Sequence, residues 1–303
     1  MYDIIIIGAG PAGYAASIYG SRYNLKNLII GKELGGQIGE AHIIENYPGY
    51  TNIIGRDLME KFKEQTEHFG AEIANSEAIK IVKKDNGFSV IDKNGQERFA
   101  RAIIIAAGAS YRKLGIVGEN KFVGKGISYC FVCDGLFFKN KKIAVIGGAN
   151  SAVMAADYLS KICDKVYMIF RKEEMTASPI WQERVKNNPK IELINRTNVI
   201  EMTGKQLLEK IILDNPHQGK NDLAVDGAFI EIGSIPNSGL ARKLNIKINK
   251  AGYIKVDSGQ ATNIKGVFAA GDITDGSNGL RQVLTAASEG AIAATSAYEY
   301  LQK

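Results

Sequence analysis

The chain has 303 residues, enough for two domains of ordinary size, and its hydrophobic and charged fractions of 45% and 23% suit a soluble globular protein. Its net charge of +6 is spread along the chain without a nucleic-acid-binding motif, so we expect no nucleic-acid partner. Apolar stretches such as residues 103–109 are too short to span a bilayer. Because Met1 comes just before a strand-like run, we expect no signal peptide. Three cysteines exclude a disulfide scaffold and favour a cytoplasmic location.

A dinucleotide-binding pattern opens the chain. An apolar run at residues 2–7 predicts a strand, a glycine-rich turn follows, and residues 14–22 have helical character before a second strand at 28–30. Glycines allow a tight turn and close approach to a pyrophosphate, while the helix start offers free N–H groups. The turn residues predicted to bind the cofactor are Gly8, Gly10, Pro11, Ala12 and Gly13.

The same pattern appears a second time. The strand at residues 142–146 leads into a glycine turn, a helix at 153–160 and a strand at 166–170. Ala149 stands where the middle glycine is usual, which weakens the expected pyrophosphate contact. The candidate residues of this second turn are Gly147, Gly148, Asn150, Ser151 and Ala152.

Two further strand ends indicate FAD in the first domain. A small-residue turn containing Ala107 and Gly108 follows the strand at 102–105, and a late strand ends at Gly271 and Asp272. A carboxylate at such a position accepts a hydrogen bond from a cofactor hydroxyl, although Asp272 as a plain turn cap is the alternative.

Because these FAD segments lie at opposite ends of the chain, one domain is expected to interrupt the other. The predicted fold is α/β, with two Rossmann-like three-layer nucleotide-binding domains, the second inserted in the first. The FAD-binding domain comprises residues 1–113 and 244–303, and the pyridine-nucleotide-type domain residues 114–243.

A cysteine pair determines the expected chemistry. Cys130 and Cys133 have the CxxC spacing of a redox pair at a helix start, where the helix dipole favours a thiolate that attacks another disulfide. Asp134 is a candidate proton relay, and a helix cap is the alternative for this residue. Half of a zinc site is a weaker alternative, since Cys163 and the three histidines show no matching spacing, so no metal is predicted. Cys163 itself is expected to be a buried small hydrophobe.

With these features together, the chain resembles the low-molecular-weight thioredoxin reductase family almost end to end. Besides the two fingerprints, the most specific marks are Gly35-Gly36-Gln37, Glu45-Asn46-Tyr47-Pro48-Gly49, Cys130 to Gly135, Gly271-Asp272 and Arg281-Gln282-Val283. The larger glutathione-reductase-type enzymes carry their pair near the first fingerprint, whereas this chain has no cysteine before Cys130.

The resemblance implies roles for individual residues. Cys133 would face the flavin, Cys130 would attack the partner disulfide and Asp134 would be the acid/base. The further residues expected to line the FAD are Glu33, Gly36, Gln37, Asn46, Arg281, Gln282 and Val283. It also implies a hinge near residues 111–117 and 238–246, and a homodimer. Leu136 and Phe137 would contact the protein that accepts the electrons, and ordinary packing under the helix is the alternative for these two residues.

The electron-donor site departs from the family pattern. Relatives that use NADPH show His-Arg-Arg after the second strand and another Arg nearby, a cluster suited to a 2′-phosphate. Here Phe170 replaces the histidine, Arg171 and Lys172 remain, and Thr176 stands at the later Arg, while Ser234 replaces a further histidine. NADPH is the expected donor, with NADH, ferredoxin or a deazaflavin as alternatives.

The sequence therefore predicts an FAD-dependent thioredoxin-disulfide reductase. Electrons would pass from the donor to FAD, then to the Cys130/Cys133 disulfide and to a thioredoxin- or glutaredoxin-like protein. A different acceptor for the same machinery is the close alternative. More distant alternatives are a ferredoxin–NADP reductase type of flavoprotein, which lacks the cysteines, and a non-catalytic nucleotide-sensing module.

Overall fold

The computed structural model describes residues 1–32, 35–40 and 44–303. The chain forms two compact units, residues 1–110 with 235–303, and residues 111–234. Among the described residues, no helix is both long and apolar enough to cross a membrane.

The first unit begins with the strand–helix–strand arrangement expected from the fingerprint. Its N-terminal segment contains β1 (Tyr2–Ile7), α1 (Pro11–Arg22), β2 (Asn27–Ile30), α2 (Gly55–His68), β3 (Glu72–Ala74), β4 (Ala78–Lys84), β5 (Gly87–Asp92), β6 (Glu97–Ile105) and β7 (Ala109–Tyr111), with a 3-10 helix at Gly36–Glu40. Pro11 lies in the first turn of α1, where its missing N–H costs no hydrogen bond.

The second unit follows directly. It contains α3 (Glu119–Phe122), β8 (Ile127–Ser128), α4 (Phe131–Asp134), β9 (Lys142–Ile146), α5 (Asn150–Ser160), β10 (Lys165–Ile169), α6 (Pro179–Lys186), β11 (Ile191–Ile194), β12 (Val199–Thr203), β13 (Lys210–His217), β14 (Lys220–Ala224) and β15 (Gly227–Ile230), with a 3-10 helix at Gly135–Phe138. The chain returns to the first unit within β16 (Ser234–Pro236) and continues as α7 (Gly239–Lys243), β17 (Val267–Ala269), a 3-10 helix at Ser277–Gly279, and α8 (Val283–Leu301).

The sheet of the first unit has the order β3-β2-β1-β6-β5-β4, and β17 also pairs with β6. Strands β1, β2, β3, β6 and β17 are mutually parallel, whereas β4 and β5 join in antiparallel pairing. Ile4 and Ile6 pack with α1, α2 and α8 on one face, while Ile5 and Ile7 pack on the other. A strand buried on both faces explains the unbroken apolar run of the sequence.

The main sheet of the second unit is parallel throughout, in the order β11-β10-β9-β15-β8. Ile143 and Val145 face α5, whereas Ala144 and Ile146 face the side occupied by the antiparallel sheet β12-β13-β14. The predicted α/β class with parallel Rossmann-like sheets is confirmed.

The return to the first unit falls at residues 234/235, nine residues before the sequence-based boundary at 243/244. The reason is that Ala241, in α7, and Ile246 are buried in the core of the first unit with Ile81. Where the chain leaves the first unit and where it returns, the strands β7 and β16 pair with each other. Which nucleotide each unit binds stays a prediction.

Candidate active site

Three of the predicted cofactor segments meet at the carboxyl edge of the first sheet. Ile7 pairs with Ile105, and Ile105 pairs with Ala269, so these three parallel strands end at one level. The segments that follow them are the fingerprint turn, the turn with Ala107 and Gly108, and the turn with Gly271 and Asp272. Strand register, which the sequence does not record, thus brings residues from both ends of the chain together.

The fingerprint turn has the tight geometry that its glycines predict. A Cβ at Gly13 would lie 1.9 Å from the carbonyl oxygen of Gly8, so helix α1 packs against the turn only because residue 13 has no side chain. A Cβ at Gly10 would instead enter open space, with no heavy atom within 4 Å. The backbone at Gly10 is therefore open to a ligand, as an approaching pyrophosphate needs.

Other predicted FAD residues lie around this edge. The Gln37 side chain donates to the carbonyl of Ala109 over 2.6 Å, and the Asn46 amide donates to Gln282 Oε1 over 3.0 Å. Gln282 is the N-cap of α8, whereas the side chains of Ala12 and Val283 are buried in the core. Ala12 and Val283 can therefore offer a cofactor only their backbone N–H groups, which lie at the starts of α1 and α8. Glu33 lies outside the described residues.

Asp272 and Arg281 give the edge its charge. Burial raises the pKa of Asp272 to about 6, with Arg281 opposing the rise and Glu289 adding to it. The Arg281 guanidinium lies 4.1 Å from the Tyr253 ring centroid, and its Nε is buried with no hydrogen-bond partner among the described residues. Open space at Gly10 and an unpartnered cationic donor fit an anionic dinucleotide.

The residue that secures the loop after Asp272 was not predicted from the sequence. Glu289 of α8 is buried, and its carboxylate accepts the Gly271 N–H over 2.8 Å, the Thr274 hydroxyl over 2.9 Å and the Ser277 hydroxyl over 2.5 Å. A buried carboxylate with several donors is stable, and it fixes the loop that follows β17. In the sequence, the only indication of this role is a glutamate inside a largely apolar helical segment.

In the second unit the two cysteines of the predicted redox pair form a disulfide. Cys130 is the N-cap of α4, and its sulfur accepts the Cys133 N–H over 3.2 Å, which confirms that the pair opens a helix. Both residues are half-buried, so the disulfide is open to a protein partner.

A second missed residue, Ser128, connects the pair to the predicted acid/base. The buried Ser128 hydroxyl donates to Asp134 Oδ2 over 2.6 Å and accepts the Cys130 N–H over 3.0 Å. Asp134 is therefore oriented by a side chain from the end of β8, which argues against a simple helix-cap role.

The second nucleotide turn lies beside the redox segment, at the carboxyl edge of the second sheet. Its Gly147 has a φ of +144°, and a Cβ there would lie 2.3 Å from the carbonyl oxygen of Glu231. Asn150 opens α5, but its side chain accepts the Ser178 N–H over 2.9 Å. Ser151 is exposed and Ala152 is fully buried, so the turn presents mainly backbone groups to a nucleotide.

The loop after β10 carries the predicted donor cations. Arg171 and Lys172 are exposed, whereas Phe170, at the position of the family histidine, is buried against Gly148. Glu173 forms an ion pair with Arg196, a residue after β11 that sequence analysis missed. The Arg196 N–H also donates to the Lys172 carbonyl over 3.0 Å, so this third cation is part of the same loop cluster.

The remaining residues that the sequence singled out lie outside the two glycine turns and the cation cluster. Cys163 is fully buried, as predicted, and burial raises its pKa to about 11. His217 lies in β13 and contacts Glu192 over 2.7 Å, and the described residues hold no group of three potential metal ligands. Leu136 and Phe137 are exposed beside the pair, rather than packed beneath the helix.

Comparisons with known proteins agree with this geometry. Residues 2–290 match the model of the pyridine nucleotide-disulphide oxidoreductase family. The chain is 41% identical over 307 residues to the thioredoxin reductase of Bacillus subtilis strain 168, with 100% of this chain and 96% of the relative covered. The thioredoxin reductase of Treponema pallidum strain Nichols is 40% identical, with coverages of 99% and 97%.

Solved structures give the same result. The thioredoxin reductase of Streptococcus pyogenes MGAS5005 superposes with a TM-score of 0.92 at 38% identity, covering 100% of this chain and 98% of that one. The enzyme of Giardia duodenalis gives 0.91 at 34% identity, with coverages of 100% and 99%. The chain is an oxidoreductase, and it belongs to the thioredoxin reductases within the pyridine nucleotide-disulphide oxidoreductase family.

Proposed function

We propose that the chain is an FAD-dependent thioredoxin-disulfide reductase that passes electrons from NADPH to a thioredoxin- or glutaredoxin-like protein. The observation that carries the proposal is the half-buried Cys130–Cys133 disulfide, placed at the carboxyl edge of a parallel sheet beside a second dinucleotide turn. A redox-active disulfide next to such a turn is the arrangement that links nucleotide oxidation to thiol chemistry.

Family membership carries with it the use of a flavin and a pyridine nucleotide. The residues proposed to hold FAD are the Gly8–Gly13 turn, Gly36, Gln37, Asn46, Ala107, Gly108, Gly271, Asp272, Arg281, Gln282 and Val283. Bound FAD would supply two-electron transfer to the disulfide. The chain itself contributes two helix starts, at α1 and α8, and the buried Arg281 donor.

The cysteines and Asp134 would perform the disulfide exchange. The Cys130 thiolate attacks one sulfur of the partner disulfide, and the other partner sulfur leaves as a thiolate that takes up a proton. Cys133 then attacks Cys130, which breaks the mixed disulfide and releases the reduced partner. Asp134, oriented by Ser128, is the proposed group that takes and returns the proton.

Charge around the second turn favours NADPH. Arg171 and Lys172 are exposed, and Arg196 neutralises Glu173, a carboxylate that would otherwise repel a 2′-phosphate. A carboxylate at this position is also the group that hydrogen-bonds the ribose 2′-hydroxyl of NAD, so its engagement by Arg196 disfavours NADH.

The partner would meet the apolar residues beside the pair. Val132, Leu136 and Phe137 are exposed, and aromatic and aliphatic side chains around a reactive group form the core of many protein interfaces. A homodimer in the cytoplasm is part of the proposal, by family resemblance.

An anaerobic titration tests the donor and the acceptor separately. The flavin-loaded protein is titrated with NADPH and, in parallel, NADH while flavin absorbance is followed, and a thioredoxin disulfide is then added. We expect bleaching by NADPH and stoichiometric thioredoxin reduction. A flavin that dithionite bleaches but NADPH does not would contradict the donor, and bleaching without thioredoxin reduction would contradict the acceptor.

A further inference from the structure

Three segments of the first nucleotide site meet where helix α8 packs against helix α1. A Cβ at Gly290 of α8 would lie 2.1 Å from the Ala12 carbonyl oxygen, and a Cβ at Gly271 would lie 2.9 Å from the Ala12 Cβ. The start of α1, the loop after β17 and helix α8 are therefore in close contact, and neither glycine leaves room for a side chain. Glu289, which precedes Gly290, is buried at this junction with only 4% of its surface exposed.

The Glu289 carboxylate contacts the loop at both of its ends. Oxygen Oε2 accepts the Gly271 N–H over 2.8 Å and the Thr274 hydroxyl over 2.9 Å, while Oε1 accepts the Ser277 hydroxyl over 2.5 Å. The Thr274 Oγ1 in turn accepts the Gly276 N–H over 3.1 Å. One side chain of α8 thus holds the segment from residue 271 to residue 277, which we call the 271–277 loop.

This loop carries a residue that we have proposed to bind FAD. Asp272 directly follows Gly271 and precedes Thr274 by two residues, so its backbone is held on both sides by contacts to the same carboxylate. A binding loop that is ordered before its ligand arrives loses less conformational entropy on binding, and affinity rises accordingly.

We propose that Glu289 is a positioning residue of the FAD site: its hydrogen bonds hold the 271–277 loop, and with it Asp272, in the arrangement that receives the cofactor. The inference rests on the FAD site proposed above and extends it to a residue that acts through Asp272 without touching the cofactor. The two helix starts and the Arg281 donor bind the cofactor directly, whereas Glu289 fixes the loop between them.

Hydrogen bonding, rather than negative charge, is the property that this role requires. All three donors to Glu289 are neutral groups, one backbone N–H and two hydroxyls. A glutamine at position 289 can turn its oxygen toward Gly271 and Thr274 and donate its amide to the Ser277 hydroxyl oxygen, which retains all three contacts. A leucine fills the space but accepts nothing, so the Gly271 N–H loses this acceptor inside the protein.

The test uses two measurements on the full-length chain. Hydrogen–deuterium exchange of the flavin-free protein, followed by mass spectrometry, compares residues 270–280 with strand β1 as an internal reference. Equilibrium dialysis gives the Kd for FAD. The variants are Glu289→Gln, Glu289→Leu and Thr274→Val, and Glu299→Leu on the exposed face of the same helix is the matched control.

We expect Glu289→Leu to raise the exchange rate of residues 270–280 about tenfold or more and to leave β1 unchanged. Its Kd for FAD should rise about tenfold to a hundredfold, and that of Thr274→Val, which loses one hydroxyl contact, about threefold to tenfold. Glu289→Gln and Glu299→Leu should stay within about threefold of wild type.

A double substitution shows whether Glu289 acts through Asp272. In an Asp272→Ala background, Glu289→Leu should raise the Kd for FAD by less than about threefold, because the carboxylate that the loop positions is already gone. A residue that only stabilised the fold would cause the same loss of affinity in both backgrounds.

Unchanged exchange of residues 270–280 in Glu289→Leu would overturn the proposal, and so would faster exchange with an unchanged Kd for FAD. Equal losses of affinity with and without Asp272 would also contradict it. If Glu289→Leu raises exchange in β1 as well, the milder Thr274→Val decides, and an unchanged Kd in that variant overturns the proposal. Failure of the proposed function has a different signature, a wild-type protein that binds no FAD, since the exchange measurement needs no flavin.

Discussion

Ser128 and Asp134 are joined by a 2.6 Å hydrogen bond in which the serine hydroxyl donates to the carboxylate. The same hydroxyl accepts the Cys130 N–H, so one buried side chain holds both the proposed acid/base and the start of the redox segment. Geometry at the disulfide is therefore set by a residue that belongs to the preceding strand.

Removal of this hydroxyl should impair disulfide exchange more than flavin reduction. Ser128→Ala leaves the Cys130 N–H without this acceptor and removes the serine hydrogen bond to the Asp134 carboxylate, so we expect kcat/KM for thioredoxin to fall about tenfold, or roughly 1.4 kcal/mol. Stopped-flow bleaching of the flavin by the donor should stay within twofold of wild type, a margin of about 0.4 kcal/mol. Ser160→Ala, another buried serine of this unit, is the matched control. Equal losses in both variants would show that only stability changed.

The cysteine assignments predict a split between two half-reactions. Cys133→Ser removes the sulfur that resolves the mixed disulfide, so thioredoxin turnover should fall about a thousandfold or more. Donor-dependent flavin bleaching should persist, because it needs neither sulfur. Cys163→Ala removes a buried thiol outside the pair and should keep turnover. Full thioredoxin reduction by Cys133→Ser would refute the dithiol mechanism.

Arg196 is expected to influence donor preference through Glu173. Arg196→Gln releases the glutamate, so the ratio of kcat/KM for NADPH to that for NADH should fall, by about threefold to tenfold for an exposed ion pair at a phosphate site. Glu173→Gln should raise that ratio. Calorimetric binding of 2′,5′-ADP and 5′-AMP gives a readout independent of turnover.

Arg184→Gln, on α6 of the same unit, controls for the loss of one positive charge. An unchanged ratio in both Arg196→Gln and Glu173→Gln would remove Glu173 from donor recognition.

The Asp272 carboxyl should make the flavin-free protein sensitive to pH. Its folded pKa of about 6 lies above the ordinary value of 3.8, so the folded state holds the proton more tightly than the unfolded state. Stability should therefore decrease as pH rises from about 4 to 6 and then stay level with respect to this group.

Asp272→Asn should abolish that decrease. We expect the variant to exceed wild type by up to about 3 kcal/mol at pH 7 and to match it near pH 3.5, as measured by urea unfolding of the flavin-free chain. A difference between the two proteins that does not vary with pH would contradict the burial of this carboxyl. Weaker flavin retention by the variant would independently support the role of Asp272 at the cofactor.

Local signals made much of the fold predictable. The apolar run of β1, the glycines of the first turn and the small residues of α1 lie within a few residues of one another, and β1 and β9 were predicted at the bounds observed. Turn geometry at Gly13 depends on contacts within the same short segment, so the sequence pattern carries it. The CxxC spacing is equally local, because the two sulfurs are separated by three residues at a helix start.

By contrast, the strand order and the side-chain partners at the sheet edges could not be predicted from the sequence. Ser128 lies beside Phe229 because β15 pairs with β8, a neighbour relation between segments about a hundred residues apart. Glu289 reaches the loop after β17 because α8 packs beside that loop. Arg196 reaches Glu173 because β11 lies beside β10. The return of the chain at 234/235 likewise depends on where Ala241 is buried.

The sequence by itself determined the α/β class, both nucleotide turns and the identity of the cysteine pair, since each is encoded by residue types at short and regular spacing. Tertiary structure alone decided which polar groups surround that pair and the carboxyl edge of the first sheet. The physical reason is that parallel strands align their carboxyl ends irrespective of their separation along the chain, so distant side chains become neighbours without any periodic signal.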